Sequence, residues 1–395
     1  MATTTTVILG AGFGGIVAAN ALRGLLPPEH RIVIIDRGRD FYIGATKPWV
    51  MLGQKTAAEV SHNREAVRKR GIEFVHAEVS GIDLARGEVL TEQGTQRGDY
   101  LVIALGADYD MAAVPGLGSA AHEVYTLEGA ARLCPALRNF SGGDLVVLVP
   151  RAPFKCPPAP YEGAMLMHHA FTERGVRDKV RIAFYTIEGA PMATAGPEMS
   201  QFVRGELASR NIAYHPGKKT TAVDGTRRAV KFEDGSEAQF DLLVAVPPHV
   251  APKVVRDAGL TNQGGWIPAD PGTLKVARDS AFHAVYAIGD VSVVPLPGRY
   301  KPDMPLVLPK AGTIADAQGR CVASQIAAEV LARRAEAFGG IGTCYIETGD
   351  RQAVRGEGQF YALPHPVMRA TPPDRTQYEG KLAWINDWLR ANLIP

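Results

Sequence analysis

The segment PFKCPPAPYE, residues 153–162, places one cysteine among prolines where a predicted strand passes into a predicted helix. Prolines lack the N–H groups that a phosphate-binding turn needs, so this turn cannot cradle a phosphate. Cys156 lies just before the helix N-terminus, where the helix dipole with Lys155 and Arg151 favours the thiolate. Glu162, in the first helical turn, is placed to relay a proton. On these residues alone, a buried structural cysteine with Glu162 favouring the helix start is an equal alternative.

A second cysteine, Cys344, lies in GGIGTCYIETGD (339–350), a short predicted strand bounded by glycines. It and the proline-rich turn can converge on one site, although their separation along the chain neither requires nor excludes this. Cys134 and Cys321 fall in predicted helices and are expected in the core. Four cysteines without C-x-x-C spacing indicate neither a disulfide scaffold nor a metal site, and we expect no metal. A disulfide in such a chain is more typical of catalysis than of structure.

A glycine-rich motif opens the chain. TTVILGAGFGGIVAANALRG (5–24) has Gly10, Gly12 and Gly15 in G-x-G-x-x-G spacing between a strand and a helix. The first glycine permits a tight turn, the second lets the backbone approach a pyrophosphate, and the third lets the helix pack on the strand. A second strand, RIVIID, ends in Asp36, which is placed to bind ribose hydroxyls. The motif predicts a dinucleotide site.

Two later strands, YLVIALGAD (100–108) and AVYAIGDVS (284–292), end in small-residue turns containing Gly106 and Asp290. This pattern resembles the two-dinucleotide-binding-domain flavoproteins, in which FAD extends from the first turn to the late aspartate. In them the following helix, here predicted within 306–334, points at the flavin, and Lys310 would stabilise the reduced anion. The alternative for Lys310 is an exposed lysine in the first helical turn.

The fold class predicted is α/β, with two Rossmann-like three-layer dinucleotide-binding domains and a C-terminal extension. Residues 1–115 and 275–335 form a discontinuous FAD-binding domain. Residues 116–274 form the inserted domain with the redox cysteine, and 336–395 carry the second cysteine and an amphipathic helix. The inserted domain keeps the βαβ order of an NADH-binding unit, but its turn is rich in proline, which argues against NADH binding.

With these motifs the sequence resembles the sulfide:quinone oxidoreductases and the flavocytochrome c sulfide dehydrogenase flavoprotein subunits. PFKCPPAPYE resembles the dehydrogenase's cysteine motif, and GTCYIE (342–347) resembles the second-cysteine motif of both. The resemblance implies that Cys156 and Cys344 form a redox-active disulfide beside the flavin. It also implies that hydrosulfide attacks this disulfide, leaving a persulfide and a thiolate, and that electrons pass through the flavin to a quinone or a cytochrome.

Two departures from the family pattern matter. Many sulfide:quinone oxidoreductases have a third cysteine where this chain has Tyr125. The dehydrogenase attaches FAD through a cysteine after the second strand, but residues 37–49 contain none, so the FAD is expected to be non-covalent.

The C-terminal segment YEGKLAWINDWLRANLIP (378–395) has apolar residues at helical spacing and two tryptophans. Such a helix can lie in a membrane interface, dock on its own domain or meet a second subunit in a homo-oligomer. The N-terminus enters a strand directly and resembles no cleavable signal, and no run of about 18 apolar residues occurs. We expect a cytoplasmic or peripheral membrane protein. A net charge of +2 gives no indication of nucleic-acid binding.

The function predicted is an FAD-dependent oxidoreductase that oxidises sulfide through the cysteines and passes electrons to a quinone. Quinone is preferred because the chain has no haem-attachment motif. The alternatives are a cytochrome-linked sulfide dehydrogenase, a persulfide oxidoreductase, an NADH:quinone oxidoreductase, and a flavin-binding redox-sensing or interaction protein.

Overall fold

A computed structural model of the chain describes residues 3–394. Its α-helices are α1 Phe13–Leu25, α2 Lys47–Met51, α3 Leu117–Ala120, α4 Leu127–Asn139, α5 Ala159–Glu173, α6 Pro197–Ser209, α7 Lys253–Asp257, α8 Gly312–Val330 and α9 Arg375–Asn392. The strands of the first half are β1 Thr5–Leu9, β2 Arg31–Asp36, β3 Asp40–Phe41, β4 His62–Asn63, β5 Glu73–His76, β6 Val79–Asp83, β7 Glu88–Thr91, β8 Gly94–Arg97, β9 Tyr100–Ile103, β10 Asp108–Tyr109, β11 Gly143–Val149 and β12 Val180–Thr186. Those of the second half are β13 Ile212–His215, β14 Thr220–Asp224, β15 Ala229–Phe232, β16 Glu237–Gln239, β17 Leu242–Ala245, β18 His249–Val250, β19 Ile267–Pro268, β20 Ala284–Ala287, β21 Ser292–Val293, β22 Ile341–Gly349, β23 Gln352–Gln359 and β24 Val367–Ala370.

The first large sheet is parallel and has the order β20-β9-β1-β2-β5. Its central strands are almost wholly apolar and buried, as parallel strands covered on both faces require. Strand β20 lies some 180 residues beyond β9 and pairs with it in register, Ala284 opposite Tyr100. A sheet begun near the N-terminus is thus completed late in the chain, which supports the predicted discontinuous domain.

The second large sheet is also parallel and has the order β13-β12-β11-β17. Helix α5 follows β11 through the proline-rich turn, and the buried side chains of both contribute to one apolar core. The short antiparallel pair of β10 with β18 joins the segment that leaves the first sheet to the segment that returns from the second. The α/β class with two parallel sheets is confirmed, and the exact domain boundaries stay a prediction.

The C-terminal region consists of an antiparallel sheet, β22-β23-β24, followed by α9. Strand β22 packs against both α5 and α8. The second cysteine is therefore carried on a strand that touches the helix after the first cysteine and the helix after Asp290.

Helix α8 begins at Gly312, inside the predicted segment 306–334. The residues before it are extended, because Leu308 N–H donates to Val294 O and the Leu306 carbonyl accepts from Leu296 N–H. This short pairing uses backbone groups that a helix would otherwise need.

Helices α1 and α8 cross at a point where only glycine fits. A Cβ atom on Gly319 would lie 2.5 Å from Gly14 O and 3.0 Å from Ala18 N, both backbone atoms. Gly205 in α6 has the opposite surroundings, since a Cβ there would meet nothing within 4 Å. The two glycines form a matched pair.

We expect Gly319→Ala to lower the free energy of unfolding by about 1–3 kcal/mol, because the backbones of α1 and α8 must separate. Gly205→Ala should raise it by about 0.5–1 kcal/mol, since alanine loses less entropy in a helix. Urea unfolding midpoints of the two variants test this. Equal stability of the two variants would contradict the proposed close packing.

Candidate functional site

A cavity of about 740 Å³ opens where the turns after β1, β9, β11 and β20 meet. It is the place where parallel α/β sheets bind ligands, beyond the carboxyl ends of the strands. Of the ten residues predicted as site residues, nine line it: Gly10, Gly12, Asp36, Gly106, Cys156, Glu162, Asp290, Lys310 and Cys344. The structure thus brings together residues that lie far apart in the chain.

The glycine-rich turn has the geometry that a dinucleotide requires. Gly10 has φ +95° and a Cβ there would lie 2.4 Å from Ala104 O. The tenth site residue, Gly15, lies behind the cavity, and its Cβ would lie 1.8 Å from Gly10 O. Gly12 precedes α1 and a Cβ there would meet nothing within 4 Å. The turn is therefore closely packed on its protein side and open on its cavity side, which fits a pyrophosphate at the helix N-terminus.

Asp36 fixes this turn through its carboxylate. Its Oδ2 accepts a hydrogen bond from Ala11 N–H at 2.7 Å, and its Oδ1 accepts from Gly38 N–H at 2.7 Å and from Arg64 Nη1 at 2.9 Å. The Arg64 Nε also donates to Ala11 O at 3.0 Å. Arg64 lines the cavity and has no sequence motif that marks it. Ribose binding by Asp36 stays a prediction.

The far end of the cavity is formed by Asp290 and the approach to α8. Lys310 is 8% exposed, so the alternative of an exposed lysine is wrong. Its Nζ donates to Asp290 O at 2.6 Å and to Ser292 O at 2.8 Å, and lies 3.7 Å from the centre of the Trp266 ring. Burial lowers the pKa of Lys310 to about 8. The ammonium is engaged by backbone carbonyls, and its role toward a flavin stays a prediction.

The two cysteines line this one cavity from different parts of the fold, and both are free thiols. Cys156 lies before α5 with φ +52°, a conformation uncommon for a residue with a side chain. Its N–H donates to Lys310 O at 2.6 Å, which joins the proline-rich turn to the approach to α8. Beside Cys344, the Thr313 hydroxyl donates to Thr343 O at 2.6 Å, which joins α8 to β22. The two backbone segments that carry the cysteines are therefore both hydrogen-bonded to α8 or to the residues just before it.

Burial raises the pKa of both thiols, to about 11 for Cys156 and about 12 for Cys344. The charge of Glu162 raises the pKa of Cys156 further, whereas Lys47 and Lys381 lower it. The charge of Cys156 itself contributes to the raised pKa of Cys344, so the two sulfurs lie within electrostatic reach.

The prediction that Arg151 and Lys155 favour a Cys156 thiolate is wrong for this thiol. Arg151 donates to Pro150 O and Thr220 O, each at 2.9 Å. The Lys155 Nζ lies 5.0 Å from the centre of the Tyr109 ring. Desolvation is the largest influence on the pKa of this sulfur, and the cations that lower that pKa, Lys47 and Lys381, come from other elements.

Comparison with known proteins agrees with this geometry. Residues 4–148 match the family model described as pyridine nucleotide-disulphide oxidoreductase. Residues 133–247 match the model described as sulfide dehydrogenase [flavocytochrome c] flavoprotein chain, central. The second match includes the proline-rich turn and the whole of the second parallel sheet.

Two curated relatives are sulfide oxidoreductases. The mitochondrial sulfide:quinone oxidoreductase of Mus musculus is 24% identical over 73% of this chain and 66% of its own, so the alignment spans just under two thirds of that protein. The sulfide-quinone reductase of Aquifex aeolicus is 26% identical over 82% of this chain and 76% of its own. The crystal structure of the Aquifex aeolicus sulfide:quinone oxidoreductase has a TM-score of 0.87 at 22% identity, over 100% of this chain and 93% of that one.

The chain is therefore similar to the sulfide:quinone oxidoreductases, and its central part is similar to the flavoprotein chain of flavocytochrome c sulfide dehydrogenase. These similarities imply a flavin cofactor, and the cavity beyond the glycine-rich turn has the lining that could hold one.

Glu162 belongs to a buried charge cluster that the sequence did not indicate. The Lys381 Nζ lies 3.2 Å from Glu162 Oε1 and 2.6 Å from Glu347 Oε1. Glu347 N–H also donates to Glu162 Oε1 at 2.9 Å, and Trp49 Nε1 donates to Glu347 Oε1 at 3.0 Å. Lys381 is 0% exposed. Burial raises the pKa of Glu162 while Lys381 opposes that rise, and the two carboxylates raise the pKa of Lys381.

Helix α9 packs against α1 and α8 of the same chain. Trp388 Nε1 donates to Asp316 Oδ2 in α8 at 2.7 Å. The Trp384 ring stacks on Phe13 with their centres 6.3 Å apart and an interplanar angle of 5°. The packing favours the docking alternative over a helix that presents its tryptophans to a membrane. Among residues 3–394, no helix is long and apolar enough to cross a bilayer.

A second cavity of about 210 Å³ lies on the other side of the proline-rich turn. Its lining is mostly apolar and includes Phe154, Phe360 and Met368. Cys344 lines this cavity as well as the larger one, so it connects the two. The segment 360–373 contributes two of the lining side chains.

We expect Lys381→Met to lower the free energy of unfolding by about 3–5 kcal/mol, because two buried carboxylates lose their shared cation. Lys219→Met is the matched control, since Lys219 pairs with Glu233 at 2.6 Å on the surface. The control should change stability by less than about 1 kcal/mol. Urea unfolding of both variants tests this, and equal small effects would show that the cluster contributes no net stability.

Proposed function

We propose that this chain is an FAD-dependent oxidoreductase that oxidises sulfide through Cys156 and Cys344 and passes the electrons to a quinone. The observation that carries the proposal is that two thiols from separate parts of the fold line the cavity that also contains the dinucleotide turn. The matching sulfide dehydrogenase family model and the two sulfide-oxidising relatives are named for the same chemistry, which supports the proposal.

The cavity residues would hold FAD without a covalent bond. The glycine turn with Gly10 and Gly12 would bind the pyrophosphate, Asp36 the ribose, and Asp290 and the N-terminus of α8 the flavin end. Residues 37–49 contain no cysteine that could form a thioether. When bound, FAD supplies a two-electron acceptor that can be reoxidised by a quinone.

The two cysteines would supply the sulfur chemistry. In their oxidised form they share an S–S bond, and hydrosulfide forms a new S–S bond to one sulfur while the other leaves as a thiolate. The product is one persulfide and one thiolate, so atoms and electrons balance before any transfer to the cofactor. A thiolate needs stabilisation here, since burial raises the pKa of both thiols.

Glu162 would handle protons at the site. Its Oε1 is engaged by Glu347 N–H and Lys381, whereas within residues 3–394 no hydrogen bond reaches its Oε2. Because Glu162 lines the cavity and burial raises its pKa, Oε2 is suited to accept the hydrosulfide proton and release it later.

Quinone is favoured as the acceptor by the second cavity. Its apolar lining suits a quinone ring, whereas a protein redox partner would need no such cavity. Val307, one of the lining residues, is 41% exposed, so the cavity is open to the surface there. The proline-rich turn weighs against NADH as the reductant, because prolines provide no phosphate nest at the end of β11.

We expect sulfide, and not NADH, to bleach the visible flavin absorbance of the purified protein in an anaerobic titration. Cys156→Ser and Cys344→Ser should each slow sulfide-dependent bleaching by roughly a thousandfold or more, because each removes one sulfur of the exchanging pair. Cys134→Ser is the control, since Cys134 lies in α4 away from the cavity lining.

Rapid bleaching by NADH with no response to sulfide would refute the proposed function. Full sulfide-dependent reduction of the flavin in either cysteine variant would refute the disulfide mechanism, but sulfide would remain the substrate. Reduction by dithionite in all variants confirms that flavin is present and reducible.

A further inference from the structure

Two lysines line the large cavity beside Cys156 without a carboxylate partner. Lys47, at the start of α2, and Lys155, in the proline-rich turn, both face the cavity. Within the described residues neither lysine has an acidic oxygen at salt-bridge distance. By contrast, five other lysines each form a salt bridge with an acidic side chain: Lys55, Lys218, Lys219, Lys253 and Lys275. Two unpaired cations in a partly desolvated site are costly unless an anion binds between them.

Lys47 is held in place with donor capacity left over. Its Nζ donates to Tyr125 O at 2.6 Å and lies 5.3 Å from the centre of the Tyr125 ring. An ammonium has three N–H groups, and this is the only acceptor it reaches among residues 3–394. Two N–H groups remain for a ligand.

Tyr125 adds a further unused donor. It is 3% exposed and lines the cavity, yet within the described chain its hydroxyl has no hydrogen-bond partner. After burial, the charge of Cys156 is the largest influence on the Tyr125 hydroxyl, which raises its pKa and indicates that the two groups are close. A buried hydroxyl without a partner is destabilising unless something else accepts its proton.

We propose that Lys47, Lys155 and the Tyr125 hydroxyl form an anion subsite that binds hydrosulfide beside Cys156. This inference rests on the proposed function and names the groups that bind its substrate. It also gives a role to Tyr125, which stands where many members of the resembling family have a cysteine.

Charge balance around the sulfur supports the subsite. Glu162 repels an anion near Cys156 and raises the pKa of that thiol, while Lys47 lowers it. The other charges acting on Lys47 are Lys155, Glu123 and Asp290. Glu123 and Asp290 act on Lys47 only from beyond salt-bridge distance, where they partly oppose the lowering of its pKa. An arriving monoanion would be attracted by both lysines.

The subsite has a defined pH dependence. Burial, followed by the charge of Lys155, lowers the pKa of Lys47 to about 7. Lysine is a cation below its pKa, so anion affinity should be highest below about pH 7 and should fall above it. A bound anion raises that pKa toward the ordinary lysine value, so the affinity should fall with pH only until the pKa of the anion-bound form is reached.

The test uses the purified flavoprotein and azide, a non-reducing monoanion, titrated while the flavin spectrum is recorded. Sulfide-dependent bleaching is measured in parallel on the same samples. We expect azide to perturb the spectrum and to compete with sulfide. Lys47→Met should raise the azide dissociation constant and lower the second-order rate constant with sulfide, each by roughly ten- to a hundredfold.

Two further variants separate charge from structure. Lys47→Arg should retain most of the azide affinity, because it keeps the cation, but should remove its loss above about pH 7. Tyr125→Phe, which keeps the ring packing, should weaken azide several-fold and serves if Lys47→Met does not fold. Lys55→Met is the control, since Lys55 pairs with Glu59 on the surface and lies outside the cavity lining; it should match the parent protein.

Wild-type azide affinity in both Lys47→Met and Tyr125→Phe would overturn the subsite, as would the absence of any azide effect on the parent protein. If sulfide fails to bleach the parent protein while azide binds and Lys47→Met abolishes that binding, the anion subsite stands and the proposed function fails. Normal sulfide bleaching in Lys47→Met has the opposite meaning: the function stands and the subsite fails.

Discussion

One buried ammonium holds together the three parts of the chain that form the cysteine side of the cavity. Lys381 in α9 lies between Glu162, which follows Cys156, and Glu347, which follows Cys344. In a desolvated site such a charge pair is stable only if every partner is present, so the three segments must reach their native positions together. The relative position of the two thiols therefore depends on a helix near the C-terminus that carries no cysteine.

The same framework explains how a nucleotide-binding architecture becomes a thiol site. Strand β11, the turn and helix α5 keep the order of a dinucleotide unit. Prolines replace glycines, which removes the phosphate nest, and Cys156 occupies the position before the helix N-terminus. The first domain keeps its glycine turn, where Gly10 and Gly15 are in backbone contact. One chain thus contains two versions of the same supersecondary unit, one with a glycine turn and one with a cysteine among prolines.

The features that could be predicted from the sequence are those with local signals. The glycine spacing, the apolar strands, the proline turn and Asp290 each carry their meaning within a few residues, and the structure brings them to one cavity. Lys381 and Arg64 could not be found in this way, because their partners lie 219 and 28 residues away and no motif links them.

The direction of the Cys156 pKa could not be predicted from neighbours in sequence. The cations that lower the pKa of Cys156 are Lys47 and Lys381, which lie far from it in the sequence, and desolvation decides the result. Likewise, the helical spacing of the α9 tryptophans is equally compatible with a membrane and with a domain surface. The position of Phe13 and Asp316 decides between them, and only the tertiary fold provides it.

The central claim is that Cys156 and Cys344 meet as one redox pair across the flavin cavity. Peptide mapping of the quinone-oxidised protein, denatured and alkylated without reduction, tests it most directly. The account predicts that the peptides containing Cys156 and Cys344 are recovered joined, either directly or through added sulfur, while Cys134 and Cys321 are alkylated. Recovery of Cys156 and Cys344 as separately alkylated thiols, or joined to one of the other two cysteines, would contradict it.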